Sequence, residues 1–362
     1  MAANVNKIRR LYEPYRVQQE LIDKVDFSKR YIIIEAPTGF GKSFIGVRAH
    51  FETGAKKSLI ITSTRQLQLQ YLETCGHSGL VVQFGRNSRL VFRVAGMLDG
   101  RRSEITVSNY LLFDKLDQTY DLVVVDEGDD IESLQAAASK GKQIVVMSAT
   151  ILNPKLLLAS KGIQADDSEI SYASVGPLVK KELRPIFFDP IDNVSFKNGQ
   201  FDKIGDGVLK YVQAYRGLRG IVHTVNFKLT EALEGKLSPV LGNDLLVQSP
   251  KTNRVEVVNK FRNGEGRVLI GPSLLRGLDL PGDLGRFVIF AKVPFPNLTE
   301  KAPEGVEWQE WYEWSTIRSL VQGAGRCSRS EFDWSLVYIL DSNFGWFYKR
   351  NKNKFPEWWE VK

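Results

Sequence analysis

Short, nearly continuous apolar runs, rich in β-branched residues and each ending on a small or polar residue, constrain this chain more than any other feature. In the first half they are YIIIEA (31–36), SLIITS (58–63), DLVVVDE (121–127) and QIVVMSA (143–149). Segments with helical spacing lie between them, TRQLQLQYLETC and NYLLFDKL included. A strand that is apolar on both faces must be covered on both faces, and intervening helices supply that cover. The pattern therefore predicts an α/β architecture with a mostly parallel sheet. After a stretch with Pro and Asp at 177–192, a second series begins: GIVHTVN (220–226), DLLVQ (244–248), RVLIGPS (267–273), RFVIFAKV (286–293) and SLVYILD (335–341). Two consecutive α/β units follow, 1–178 and 179–362.

A length of 362 residues accommodates two such domains. The only cysteines are Cys75 and Cys327, which excludes a multi-disulfide scaffold and any four-cysteine metal or iron–sulfur site. No apolar run reaches the roughly 18–20 residues that span a bilayer. The opening MAANVNKIRRLYEPY lacks the apolar core of a signal peptide. The expectation is a soluble, cytoplasmic protein without a membrane partner. A net charge of +7 favours a polyanionic partner. Arg86, Arg89, Arg93, Arg101 and Arg102 cluster with one acid, Asp99, whereas eight acids between Leu111 and Glu132 face one lysine, Lys115.

The strongest local signal follows the first strand: APTGFGKS, 36–43. A loop that wraps amide groups around phosphates needs glycines at its tight positions, here Gly39 and Gly41. A lysine, Lys42, then neutralises the β- and γ-phosphates, and a hydroxyl, Ser43, reaches Mg²⁺. Ala36 stands where the general pattern has Gly. Eighty-four residues after Lys42 comes Asp126-Glu127, at the end of a strand expected beside the phosphate loop. One carboxylate there serves the Mg²⁺ shell and the other the attacking water. Near the C-terminus, QGAGRCSRS (322–330) places Arg326 and Arg329 three apart, on one helical face, as candidate arginine fingers.

With these motifs in order, the chain resembles superfamily 2 helicases, and among them the XPD/DinG type. YEPYRVQQ (12–19) is similar to the N-terminal glutamine motif, with Gln19, three after Arg16, as its glutamine. EAPTGFGKS resembles motif I of that branch, where Ala in the first position is usual. TSTRQLQLQ (62–70), TVSNYLLF (106–113), VVVDEGDD and MSATI (147–151) resemble motifs Ia, Ib, II and III. GIVHTVN, RGLDLPG (276–282) with VPFPNL, and QGAGRCSRS resemble motifs IV, V and VI.

The resemblance implies two tandem RecA-like domains of the P-loop NTPase class, with ATP and Mg²⁺ as cofactors. It assigns nucleotide contacts to Arg16, Gln19, Pro37, Thr38, Gly39, Phe40, Gly41, Lys42, Ser43 and Asp279. Ser43 and Asp126 hold Mg²⁺, and Glu127 is the base. Gln322, Arg326 and Arg329 sense the γ-phosphate. Ser148 and Thr150 couple nucleotide state to strand position. Thr62, Arg65, Asn109, Thr224 and Ser273 contact the strand through its phosphates, without sequence preference. The implied partner is single-stranded DNA or a forked duplex, with RNA as an alternative, and the implied state a monomer.

Departures from the branch accompany the match. Motif II reads DEGD rather than a DEAH-like tetrad, placing Asp129 fourth, and Arg276 stands where motif V usually has Glu. Thirty-five residues fill the interval between motifs Ia and Ib, where relatives carry an iron–sulfur domain, and they contain Cys75 alone. Sixteen residues separate motifs II and III, too few for an arch domain. The reading is a minimal motor core without a cluster, of a compactness that suits a bacteriophage. Cys75 and His77 lack a second ligand pair and read as structural. Trp308, Trp311 and Trp314 alternate with Glu307, Glu310 and Glu313 and read as packing residues, whereas the tail FGWFYKRNKNKFPEWW is a candidate strand contact.

The expected activity is an ATP-driven DNA helicase or translocase in repair, recombination or replication. The alternatives are a nucleic-acid-dependent ATPase that remodels or anneals without processive unwinding, and a P-loop phosphotransferase.

Overall fold

Strand β1 (Tyr31–Glu35) carries three isoleucines, Ile32, Ile33 and Ile34, each fully buried, because helices pack on both faces of the sheet that contains it. This computed structural model describes residues 15–77, 81–84, 92–98, 101–194, 201–275, 278–328 and 331–362. The chain forms two units, Met1–Gly176 with Ala302–Glu307, and Pro177–Lys301 with Trp308–Lys362.

In the first unit the described elements begin with α1 (Arg16–Ile22), β1, α2 (Lys42–Glu52), β2 (Lys57–Thr62) and α3 (Arg65–His77). Three strands follow, β3 (Val81–Phe84), β4 (Phe92–Leu98) and β5 (Arg101–Asn109), then β6 (Tyr120–Asp126) and α4 (Leu134–Ala138). The unit continues through β7 (Gly141–Ser148), α5 (Pro154–Ser160) and β8 (Ile170–Ser174). Its sheet runs β3-β4-β5-β2-β6-β7-β1-β8. Strand β4 is antiparallel to both neighbours, and every other pair is parallel.

Two expectations change here. The strand that ends at Asp126 is not beside the phosphate-loop strand, because β7 pairs with β1 on one side and β6 on the other. The NYLLFDKL segment is not an α-helix: the Asn109 side-chain carbonyl accepts the Leu111 amide, and the resulting turn leads into a single 3-10 turn, Phe113–Lys115. The arginine-rich stretch extends the sheet edge as β3, β4 and the start of β5. Arg86, Arg89 and Asp99 lie outside the described residues.

In the second unit the order is β9 (Ile186–Asp192), α6 (Asp202–Ala214), β10 (Gly220–His223), α7 (Phe227–Leu241), β11 (Leu245–Val247) and α8 (Arg254–Arg262). Then come β12 (Val268–Gly271), β13 (Phe287–Phe290), α9 (Trp308–Ala324), β14 (Leu336–Asp341) and α10 (Asn343–Asn351). All pairs in its sheet, β11-β12-β10-β13-β14-β9, are parallel. Val222, Ile270, Phe287 and Ile289 centre one face of the core against Val208, Leu229 and Leu233 of α6 and α7. Each such side chain removed from water contributes about 1.5–3 kcal/mol, which is what holds bare apolar strands in place.

Trp311 and Trp314 are buried, while Trp308 is partly exposed and stacks on Tyr312. Much of the C-terminal tail docks on its own unit. Phe344, Phe347, Phe355 and Trp359 are buried, the Arg184 guanidinium lies 3.5 Å from the Trp358 ring, and Val361 bridges to Ile186. Among the described residues, no helix is long and apolar enough to cross a membrane.

Candidate active site

In open parallel sheets, ligands bind beyond the carboxyl ends of the strands. In the first unit those ends carry the phosphate loop (after β1), Thr62 (β2), Asn109 (β5), Asp126 (β6) and Ser148 (β7).

The loop is shaped by Gly39 and Gly41, with φ of 84° and 88°, values that glycine adopts without strain. Gly41 is the N-cap of α2, so Lys42 and Ser43 open that helix, and its first amide groups and positive dipole end suit an anion such as a phosphate. Both are buried, and Lys42 Nζ lies 3.1 Å from Glu127 Oε1. Ala36 is fully buried and its amide donates to the Ser148 carbonyl at 3.0 Å, which ties the loop's entrance to the end of β7. Pro37 and Thr38 are partly exposed, and Phe40 is buried.

The glutamine that meets this loop is Gln18, not Gln19. Gln18 is buried and its Nε2 donates to the Phe40 carbonyl at 2.7 Å. Its Nε2 also occupies the place a Cβ at position 41 would need, 2.4 Å away, a second reason for Gly41. Gln19 is directed to Asp23 of its own helix at 2.6 Å, and Arg16 is exposed and paired with Glu20 at 2.9 Å. Gln18, Leu21 and Ile22 are the buried positions of α1, an i, i+3, i+4 pattern that identifies the inward glutamine from helical phase alone.

Asp126 is buried. Its Oδ2 accepts from Tyr71 Oη of α3 at 3.1 Å and its Oδ1 from the Glu127 amide at 3.0 Å. Burial and the adjacent Glu127 charge push its carboxyl up to about 6, against the opposing pull of Lys42 and Tyr71. Glu127 adopts φ 54°, the left-handed region that costs a non-glycine residue about 1 kcal/mol or more. Its carbonyl accepts from Tyr110 Oη at 2.7 Å and from the Asp130 amide at 2.8 Å. Neither tyrosine was visible as a site residue in the sequence, since Tyr71 reaches the Asp126 carboxylate, and Tyr110 the backbone carbonyls of Asp126 and Glu127, only through tertiary packing.

The fourth position of motif II has a partner. Ser148 Oγ donates to Asp129 Oδ1 at 2.5 Å, with both residues buried, so the aspartate ties motif II to motif III. The Thr150 amide in turn faces Ser148 Oγ at 3.5 Å. Gly128 fits because a Cβ there would fall 2.3 Å from Val146 Cγ1.

Of the expected strand contacts, Arg65 and Ser273 are exposed and Asn109 partly so. Thr62 and Thr224 are not available. Both are fully buried, Thr62 Oγ1 bonding the Thr64 carbonyl at 3.1 Å and Thr224 Oγ1 lying 2.6 Å from Thr230 Oγ1.

In the second unit, Arg326 is bonded through Nε to the Leu275 carbonyl at 2.8 Å, through Nη1 to that of Leu278 at 3.1 Å, and through Nη2 again to Leu275. This arginine braces the segment leading to Asp279, which is partly exposed, as is Gln322 on the last turn of α9. Arg276 and Arg329 lie outside the described residues.

A nucleotide-bound Mg²⁺ is held by one or two protein oxygens, substrate phosphates and water, rather than by an all-protein cage. The donor set fits: a hydroxyl at the start of α2 and a buried carboxylate at the end of β6. No cluster of three or more acidic, histidine or cysteine ligands occurs among the described residues, and this mode of binding needs none.

Comparison with known proteins agrees with the geometry. A DEAD/DEAH box helicase model matches residues 15–157, and a helicase C-terminal domain model matches 200–362. The Fanconi anemia group J protein homolog of Gallus gallus is 25% identical over 181 residues, covering 42% of this chain and 14% of the relative. UvrABC system protein B of Prochlorococcus marinus is 26% identical over 251 residues, covering 65% and 32%. The structure of S. tokodaii Xpd4 superposes with a TM-score of 0.62 at 14% identity, covering 95% of this chain and 98% of that one. The chain thus spans less than a third of the length of these curated relatives. One helicase model falls in each unit, in the order the motifs require, so the chain carries a DEAD/DEAH box helicase domain followed by a helicase C-terminal domain.

Proposed function

We propose that this chain is a nucleic-acid-stimulated ATPase that moves on single-stranded DNA and separates duplexes. The observation that carries the reading is the pairing of Lys42 with Glu127 at 3.1 Å, at the mouth of a glycine-shaped loop and beside the buried Asp126. In this reading the amide groups at the start of α2 and Lys42 bind the phosphates, and Ser43 and Asp126 hold Mg²⁺. That ion, when bound, neutralises charge on the β- and γ-phosphates. Glu127, released from Lys42 by the arriving phosphate, orients the attacking water and accepts its proton. Gln18 senses the occupied loop through Phe40. Gln322 and Arg329 respond to the γ-phosphate, with Arg326 bracing the segment before Asp279. Asp129 and Ser148 carry the change from motif II to motif III. Arg65, Asn109 and Ser273 hold the strand by its phosphates, which gives movement without sequence preference and admits RNA as well as DNA. The cellular setting we infer is DNA repair, recombination or replication.

A second reading keeps the motor and omits strand separation. It is favoured by the plain antiparallel extension β3–β4–β5 in the interval between motifs Ia and Ib. ATP hydrolysis titrated with single-stranded DNA, duplex DNA and RNA tests the first statement. Stimulation by none of them rejects it. Forked duplexes with 5′ or 3′ tails then decide between the two readings, since efficient separation by the protein alone rules out the second.

A further inference from the structure

The turn after β5 joins a candidate strand contact to the hydrolytic pair within two residues. Asn109 ends β5 and pairs in register with Thr62, the last residue of β2, and the Tyr110 amide donates to the Thr62 carbonyl at 3.1 Å. Strand β2 is in turn hydrogen-bonded to β6. Tyr110 therefore leaves the sheet two strands from Asp126, and its side chain spans that gap. Its hydroxyl, with one proton to give, is shared between the carbonyls of Glu127, at 2.7 Å, and Asp126.

What this hydroxyl holds is the peptide of the one motif II residue with strained backbone, Glu127 at φ 54°. A residue kept in that region needs its neighbours to hold it there, and a small shift of the peptide swings the carboxylate through a large arc. On the other side, the turn faces outward. Asn109 Oδ1 shapes it by accepting the Leu111 amide, and Leu111 is 85% exposed, the most exposed large apolar side chain among the described residues. An apolar side chain standing free beside a candidate phosphate contact is suited to lie against a sugar or base.

We propose that Tyr110 is a positioning residue through which a strand seated on the Asn109–Leu111 turn controls Glu127. When the strand draws the turn, the tyrosine hydroxyl moves with it. The Glu127 peptide then shifts and brings its carboxylate, already released from Lys42 by the γ-phosphate, onto the attacking water. This inference rests on the nucleic-acid-stimulated ATPase reading and adds the residue that transmits the stimulation.

The test is Tyr110→Phe, which removes the hydroxyl and keeps the ring. The ratio of turnover with saturating oligo-dT to turnover without it falls about tenfold, the effect of one hydrogen bond lost at the controlled step. Fluorescent ADP binding and the affinity for labelled oligo-dT, read by anisotropy, change by less than about twofold. Asn109→Ala lowers the same ratio, and the double variant is no worse than the worse single one, because the two act in series. Thermal melting of each variant establishes that it is folded, and if Tyr110→Phe fails this it is replaced by Tyr110→Leu, which presents no donor. Equal loss of stimulated and unstimulated turnover, an unchanged ratio, or additive effects in the double variant overturn the proposal. Wild-type protein that no nucleic acid stimulates overturns the ATPase reading and this inference together. A stimulated wild type with an equally stimulated Tyr110→Phe overturns the inference alone.

Discussion

Lys42 Nζ and Glu127 Oε1 are 3.1 Å apart, so the candidate phosphate-binding cation and the candidate base pair with each other. In the proposed reading a γ-phosphate competes with Glu127 for the lysine, and winning that competition frees the base. Replacement of Glu127 by Gln weakens the competitor and removes the base at once. Turnover in Glu127→Gln is expected to fall by about 10²–10⁴-fold, the usual contribution of general-base catalysis, while ATP affinity holds or rises. Phosphate release and fluorescent-nucleotide binding measured on one preparation check this. A parallel loss of affinity would show that Glu127 supports the loop rather than opposing the ligand.

Gln18 is tied to the phosphate loop and Gln19 is not. Gln18→Ala gives up one buried hydrogen bond, worth about 0.5–1.5 kcal/mol, and raises the KM for ATP by about 2- to 10-fold. Gln19→Ala leaves it within about twofold, as for a surface change. Steady-state kinetics on the two variants decide between adjacent residues, and the reverse ranking would reject the assignment.

Asp129 and Ser148 form a buried, charge-assisted bond at 2.5 Å. A double-mutant cycle with Asp129→Asn and Ser148→Ala, followed by urea unfolding, is expected to return a coupling of about 1.5–3 kcal/mol. Each single variant also loses more strand-stimulated than unstimulated ATP hydrolysis. A coupling near zero removes the link between motifs II and III.

Gly46 gives the clearest steric prediction. A Cβ at that position of α2 would lie 2.8 Å from Tyr71 Oη and 3.0 Å from Met147 Cε. Alanine is favoured over glycine inside a helix by about 0.8–1 kcal/mol, so Gly46→Ala keeps the helix while pushing the tyrosine hydroxyl off Asp126. Weaker Mn²⁺ binding in the presence of ADP, followed by electron paramagnetic resonance, is the expected outcome. Unchanged Mn²⁺ affinity would mean that Asp126 needs no help from Tyr71.

Two histidines set the acid limit. Burial pulls His50 down to about 4 and His223, which also feels Arg326, down to about 3, both from an ordinary value near 6.5. Each is neutral when folded and takes up a proton more readily when unfolded, so stability is complete above about pH 6.5 and falls as pH drops toward 4. The slope approaches 1.4 kcal/mol per pH unit for each histidine. Urea titrations between pH 7 and 4.5 measure it, and His50→Gln reduces the slope in the first unit. A flat profile over that window contradicts the assignment.

The chemical residues of the first unit were legible because their motifs are local. A glycine loop entering a helix and a carboxylate pair closing an apolar strand have signatures within a few residues. What could not be read depends on how elements pack. Strand order placed β7 between β1 and β6, and no local pattern encodes that. Thr62 and Thr224 fall at the expected strand ends, yet their hydroxyls turn inward to nearby partners. Gln18 was within reach, because the phase of Leu21 and Ile22 marks the inner face of α1. Tyr71 and Tyr110 were not, since each lies 16 or more residues from the oxygen it meets, a carboxylate for Tyr71 and backbone carbonyls for Tyr110.

The interposed β7 acts as a gauge block. Strands in a sheet stand about 4.8 Å apart, so one strand between β1 and β6 sets the phosphate loop and the carboxylate pair about 9.6 Å apart at their roots. That opening is wide enough for a γ-phosphate, a hydrated ion and a water, and backbone hydrogen bonds on both sides keep it from narrowing. The first unit thus carries its nucleotide slot at working width before anything binds. In the proposed reading, Lys42 and Glu127 exchange partners across that span when ATP arrives.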